Sequence, residues 1–150
     1  MPASSAAPSA ATALEVLVID DDEQVCANLD RILGAAGVGS LSVTCIESAR
    51  AAMEAVYFPL IIVDRHLDRE DGIALCREYR LKYSHQVRIA ILSVADSDHD
   101  VQTGLAAGAD AYWSKRLPED ELTSRMVDLL KAARGENARS NKRALATTSS

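Results

Sequence analysis

Polar residues that can do chemistry stand directly after the chain's most apolar runs. Asp20, Asp21 and Asp22 follow Val16-Leu17-Val18-Ile19, Asp64 follows Leu60-Ile61-Ile62-Val63, Ser93 follows Ile89-Ala90-Ile91-Leu92, and Lys115 comes shortly after Ala111 to Trp113. Carboxylates brought together raise one another's pKa unless a cation sits among them. A hard divalent ion suits all-oxygen donors, and Mg²⁺ fits a shallow site that leaves waters and a phosphate oxygen as its other ligands. A carboxylate fixed at such a rim is a nucleophile toward phosphorus. Ser93 would then hydrogen-bond one phosphoryl oxygen and Lys115 pair with another, while the metal neutralises charge on the transferring group. The chemistry is phosphoryl transfer to Asp64.

These residues meet only if the apolar runs are neighbouring strands. Unbroken β-branched runs of this length predict strands buried on both faces, as in a parallel sheet. Leu41 to Ile46 and Ala111 to Trp113 are weaker strand candidates. Between them lie helical patterns: Val25, Leu29, Ile32, Leu33 and Ala36 repeat on one face, closed by Gly37, and Leu122, Met126, Leu129, Leu130 and Ala133 repeat that spacing, closed by Gly135. Shorter helices are predicted at 47–57, 72–83 and 97–107. Five strands alternating with five helices form right-handed β-α-β units, hence an α/β fold with a doubly wound parallel sheet. The ligand site of such a sheet lies outside the carboxyl ends of its strands, where the acids, Ser93 and Lys115 stand.

Composition narrows the setting. Of the 150 residues 48% are hydrophobic and 25% charged, an ordinary globular balance for about one domain. No apolar run approaches the ~18 residues of a membrane helix. Cys26, Cys45 and Cys76 are odd in number and lack a C-x-x-C spacing, which excludes a disulfide scaffold or a zinc site and predicts a reducing, cytoplasmic home. Cys26 and Cys76 are expected as small buried hydrophobes in helices, and Cys45 in the second strand. Residues 1–13 are an uncharged Ala/Ser/Pro/Thr stretch, read as a disordered leader, and 135–150, with Glu136 against Arg139, Lys142 and Arg143, as a flexible tail. The body, 14–134, holds 21 acids against 13 bases, a net −8, which disfavours nucleic-acid binding through a basic face. With about 30 residues in tails, no output domain is expected within this length.

The pieces VLVIDDD, LIIVDRHLDREDG, IAILSVA and AAGADAYWSK occur in order, with 44, 29 and 22 residues separating Asp20, Asp64, Ser93 and Lys115. They resemble the receiver domain of two-component response regulators, the CheY-like family, over residues 14–134. The resemblance implies a (βα)5 flavodoxin-like fold with strand order 2-1-3-4-5. It implies that Asp20 and Asp21 are the metal-binding pair, Asp64 the phosphoacceptor, and the backbone carbonyl of His66 a third protein ligand of Mg²⁺. Ser93 would be the switch hydroxyl, Lys115 the phosphoryl contact and Tyr112 the aromatic whose rotamer follows phosphorylation. Asp22 reads as the cap of the first helix. Asp71-Gly72 matches the turn before the third helix, where glycine is expected for its backbone freedom.

Three departures stand out. Asp68 replaces a usual proline in a loop that carries Arg65, Asp68, Arg69, Glu70 and Asp71. Arg116 replaces the proline after Lys115, so a trans bond and a rearranged loop are expected, since a non-proline cis bond costs about 2.5–4 kcal/mol. Val94 replaces a small residue next to Ser93 and is expected to narrow access to Asp64. The function implied is a stand-alone single-domain receiver, phosphorylated on Asp64 by a histidine kinase or histidine phosphotransfer protein. It would signal to a downstream protein through the helix 4, strand 5, helix 5 face, on which homodimerisation is a further option. It would catalyse only its own phosphorylation and dephosphorylation. A phosphate-independent receiver-like module and an Asp-nucleophile phosphatase are the alternatives; the latter usually has a second Asp where His66 stands.

Overall fold

The computed structural model describes residues 13–148. Five parallel strands form one sheet: β1 (Leu14–Ile19), β2 (Gly39–Val43), β3 (Leu60–Val63), β4 (Arg88–Ser93) and β5 (Ala111–Ser114), in the order β2-β1-β3-β4-β5. Helices α1 (Glu23–Ala35), α2 (Ile46–Ala55), α3 (Gly72–Tyr83), α4 (Asp98–Ala106) and α5 (Glu119–Thr148) alternate with them. This is the doubly wound fold expected from the sequence.

The apolar strand runs are continuous because both faces are covered. Val16, Val18, Leu60, Ile62, Ala90, Leu92 and Trp113 pack with Cys26, Leu29, Ile32 and Leu33 of α1 and Leu122, Met126 and Leu130 of α5. Their alternates, Leu17, Ile19, Ile61, Val63, Ile89 and Ile91, pack with Ile46, Ala49 and Met53 of α2 and Ile73, Leu75, Cys76 and Tyr79 of α3. Each strand residue therefore loses water on one side or the other, and a polar substitution has no solvated face to escape to.

Differences from expectation have local causes. The second strand ends at Val43 rather than Ile46, because Cys45 is the N-cap of α2, its thiol accepting from the Ser48 amide. Being an edge strand, β2 carries little apolar signal: Ser40 and Ser42 donate to the Asp30 carboxylate of α1 at 2.7 and 2.8 Å. The helix predicted to close at Gly135, with a flexible tail beyond, instead runs to Thr148. Gly135 lacks the positive φ of a closing glycine, costs only about 1 kcal/mol in a helix interior, and is followed by Glu136, Ala138, Arg139, Lys142, Arg143, Ala144 and Leu145, good helix formers that outnumber Asn137, Ser140 and Asn141 among them. Residues 1–12 of the expected leader, and the side chain of His85, lie outside the described residues.

The amino-terminal end of the sheet, opposite the predicted site, is fastened by Arg80 of α3. Its guanidinium donates to the carbonyls of Gly108 at 2.9 Å, Val87 at 2.9 Å and Ser84, and pairs with Asp110. Asp110 also accepts the Ile89 amide at 2.8 Å. One side chain thus joins the end of α3, the start of β4 and the loop before β5. Arg80→Met should destabilise the fold by about 2–3 kcal/mol in urea denaturation, because it leaves several carbonyls without their donor and takes from Asp110 the nearer of its two cations, Arg88 remaining at 3.3 Å. Chemistry at the far end should be unaffected in the folded variant; a loss under 0.5 kcal/mol would show that the clamp is not a fastening.

Candidate functional site

Sheet register brings the polar strand ends level. Val63 of β3 pairs with Ile19 of β1 and with Ile91 of β4, so Asp20 and Asp64, each one residue on, emerge side by side, with Ser93 just beyond. The main chain continues the ladder into the site: the Asp64 amide donates to the Ile19 carbonyl at 2.9 Å, and the Lys115 amide to the Ser93 carbonyl at 3.0 Å. Side-chain position here follows from strand pairing.

Oxygens of Asp20, Asp21 and Asp64 all lie within 4.8 Å of one another. Asp20 and Asp64 are buried, at 2% and 8% exposure, whereas Asp21 is exposed. Lys115 crosses from β5 to join the two buried acids, its Nζ 2.8 Å from Asp20 Oδ2 and 3.0 Å from Asp64 Oδ2. Burial raises the Asp20 pKa even though Lys115 and the Asp22 amide oppose it. For Lys115, burial pulls down, but pairing with Asp20 and Asp64 prevails and the pKa is raised. One ammonium thus incompletely offsets the desolvation of Asp20, and the donor set, all carboxylate oxygen, suits a hard cation.

The loop after Asp64 is more structured than its charge suggests. His66–Leu67 and Glu70–Asp71 form a short antiparallel ladder, with Leu67 driven into the core at 1% exposure. Carboxylates tie its main chain and its neighbours together: the Asp68 amide, at a positive φ of 42°, donates to Asp21 Oδ2 at 2.9 Å, and Glu70 of the loop accepts the Ile46 amide at 3.1 Å. Gly72 is needed for a different reason from the one expected. Its φ is ordinary, but a Cβ there would lie 2.0 Å from the Asp64 carbonyl oxygen. Its amide donates to the Arg65 carbonyl at 2.8 Å, seating the loop after Asp64 against the start of α3.

The remaining sequence candidates fall around this centre. Asp22 caps α1, accepting from Gln24 at 2.9 Å and Val25 at 3.4 Å. The His66 amide donates to Asp64 Oδ1 at 3.3 Å, and its imidazole is exposed. Ser93 is fully buried and accepts the Ala95 amide at 3.2 Å. Tyr112 donates its hydroxyl to the Ala95 carbonyl. Val94 is 56% exposed. The Lys115–Arg116 bond is trans, and the turn still delivers Lys115 to the site. Arg116 acts instead as a tie, holding the Val94 carbonyl at 2.8 Å and Asp96 at 2.7 Å, while Ser114 donates to the same carboxylate at 2.6 Å.

Sequence reasoning missed Arg65, Asp100 and Gly104. Arg65 pairs with Asp100 of α4 at 2.9 Å, and Gly104 lies against the Tyr112 ring. Position next to Asp64 was the only available signal for Arg65; its partner lies 35 residues away, at no informative spacing.

Residues 16–127 match the response regulator receiver domain family. The chain is 34% identical over 122 residues to the transcriptional regulatory protein GltR of Pseudomonas aeruginosa, covering 79% of this chain and 49% of that protein. It is 31% identical over 131 residues to the response regulator MprA of Mycobacterium bovis, covering 83% of this chain and 54% of that protein. It therefore spans about half the length of these curated relatives. In fold it is similar to the receiver domain of the Francisella response regulator 1452, with a TM-score of 0.73, 28% identity, and 80% and 98% of the two chains covered. A CheY-like receiver protein from Methanospirillum hungatei shares the fold with a TM-score of 0.74 at 23% identity, covering 83% and 99% of the two chains. Such a match across most of the sequence, on a five-stranded parallel sheet whose strand ends bring Asp20, Asp64 and Lys115 together, means that the chain belongs to the receiver domains of two-component response regulators.

Proposed function

We propose that this receiver accepts a phosphoryl group on Asp64 from a histidine kinase or histidine phosphotransfer protein. The observation that carries the reading is the buried Asp64 carboxylate, bonded to Lys115 at 3.0 Å and clustered with Asp20 and Asp21. In the transfer an Asp64 oxygen forms the new bond to phosphorus, the donor's P–N bond breaks, and the leaving imidazole nitrogen keeps the bonding pair and takes up a proton. Lys115 neutralises one side of the transferred group, and the Ser93 hydroxyl supplies a donor to it. Asp20, Asp21 and Asp64, with the His66 carbonyl, would hold Mg²⁺, which when bound screens charge between nucleophile and phosphoryl oxygens.

Turning Ser93 toward the phosphoryl group removes its hold on the Ala95 amide, and Tyr112, bonded to the Ala95 carbonyl, responds with it. The outcome is a population shift in the surface of α4, β5 and α5, read by a downstream protein partner or a second copy of the chain. The protein turns over no separate substrate; it promotes only its own phosphorylation and dephosphorylation. No helix among the described residues is long and apolar enough to cross a membrane, and a cytoplasmic location suits the free Cys26, Cys45 and Cys76.

Incubation with Mg²⁺ and acetyl phosphate should add one phosphoryl group by intact mass, and beryllofluoride should change Trp113 fluorescence, both abolished in Asp64→Ala. Steady phosphate release from monoesters would instead indicate a phosphatase, and no response to either reagent a phosphate-independent module. Mg²⁺ at ten times its dissociation constant should stabilise the fold by about 1.4 kcal/mol, roughly 3–5 °C in melting temperature. Asp21→Asn should erase that shift; an equal shift in the variant would place the ion elsewhere. Val94→Ala should speed acetyl phosphate uptake roughly threefold, about 0.7 kcal/mol of barrier, and shorten acyl-phosphate lifetime. Unchanged rates would remove Val94 as a gate.

A further inference from the structure

Four helices are fastened to the sheet by apolar stripes, but α4 is held differently. Gly104 is its only buried residue, and Leu105 is 40% exposed. Polar contacts take the place of a hydrophobic face. Ser97 and Asp100 close the first turn as a capping box. Arg65, the residue directly after Asp64, then reaches across to the same turn, bonding the Asp100 carboxylate at 2.9 Å and its carbonyl at 3.2 Å. The two side chains are 15% and 25% exposed, so salt and water weaken this pair less than an open surface pair.

Tyr112, beside the same guanidinium, helps hold the Arg65 pKa above its ordinary value. The Tyr112 ring occupies space that Gly104 leaves: a Cβ at 104 would lie 2.5 Å from Tyr112 Cδ2 and 2.9 Å from Ile91 Cδ1. The Tyr112 hydroxyl holds the Ala95 carbonyl, and the Ala95 amide rests on Ser93 Oγ. Main chain on the other side of Arg65 is equally fixed, its carbonyl taken by the Gly72 amide. Contacts therefore run without a break from the acceptor loop to the first turn of α4 and to Tyr112.

We infer that Arg65 is a positioning residue that ties α4 and Tyr112 to the acceptor loop, giving α4 a second mechanical link to Asp64 beside the one through Ser93. The inference rests on the reading of Asp64 as phosphoacceptor. A phosphoryl group places additional negative charge one residue from the guanidinium, and any shift of the tightly seated loop carries the guanidinium with it. Lightly packed as it is, α4 responds because few apolar contacts hold it in place.

Hydrogen exchange of the α4 amides, with and without Mg²⁺ and beryllofluoride, tests this in the full chain and in Arg65→Gln, Asp100→Asn, their double variant and Arg65→Lys. Asp100→Asn retains an oxygen for the Ser97 amide, so it removes the charge without removing the cap. In the free protein each single variant should exchange its first α4 turn about fivefold faster, and the double variant no faster than either. Arg65→Lys should restore part of the protection. The α4 change caused by beryllofluoride should fall by at least half in Arg65→Gln, while that variant still gains a phosphoryl group by mass. Native exchange and an undiminished response in Arg65→Gln would overturn the inference, as would additive effects of the two single variants. Failure of the native chain to take up phosphoryl or beryllofluoride would instead overturn the phosphoacceptor reading, and the free-protein comparison would still decide whether the tie exists.

Discussion

Carboxylates from neighbouring parallel strands converge on one rim, and the shortage of positive charge among them governs the arrangement around it. Asp20 and Asp64 are buried and a single ammonium, from Lys115, lies between them. Desolvation still outweighs that partner at Asp20, whose pKa stays raised. Charge held this way favours any ligand that brings a cation. The features needed to create the rim are structural: level register between β1, β3 and β4, an apolar layer on both faces, and the close backbone seat that Gly72 allows behind Asp64.

The two ends of the sheet are built differently. At the end opposite the site, Arg80 gathers carbonyls and Asp110 into one clamp. Around the site, polar ties join the loops to β5 and α4: Arg116 to Val94 and Asp96, Tyr112 to Ala95, Arg65 to Asp100. Hydrogen bonds and part-exposed ion pairs rearrange at small net cost, whereas a packed apolar layer does not. A rigid scaffold with a lightly tied rim is what a change confined to one carboxylate needs if it is to move a surface.

Much of the fold was legible because both-faced burial makes a strand unmistakable: Leu60–Val63 falls on the apolar run, and β1, β4 and β5 differ only at their ends. The edge strand was harder, since Ser40 and Ser42 face Asp30 rather than a core. The helix past Gly135 was hidden by the habit of reading glycine as a stop, when only its φ decides. Gly72 was recognised but misattributed, because a close approach by another segment leaves no local trace. The acids, Ser93 and Lys115 were legible from strand ends alone. Arg65 and Arg116 were not, because a long side chain chooses its partner in three dimensions and Asp100 and Asp96 lie far away in sequence.

In the proposed transfer it is the Asp64 carboxylate that bonds to phosphorus. Borohydride reduction of the phosphorylated chain converts an acyl phosphate on aspartate to homoserine, which tandem mass spectrometry locates. Homoserine is expected at position 64 and no other, formed only when Mg²⁺ and a phosphodonor are both present. Homoserine at position 20 or 21, or a phosphoryl group that resists borohydride because it sits on Ser93 or His66, would contradict that assignment.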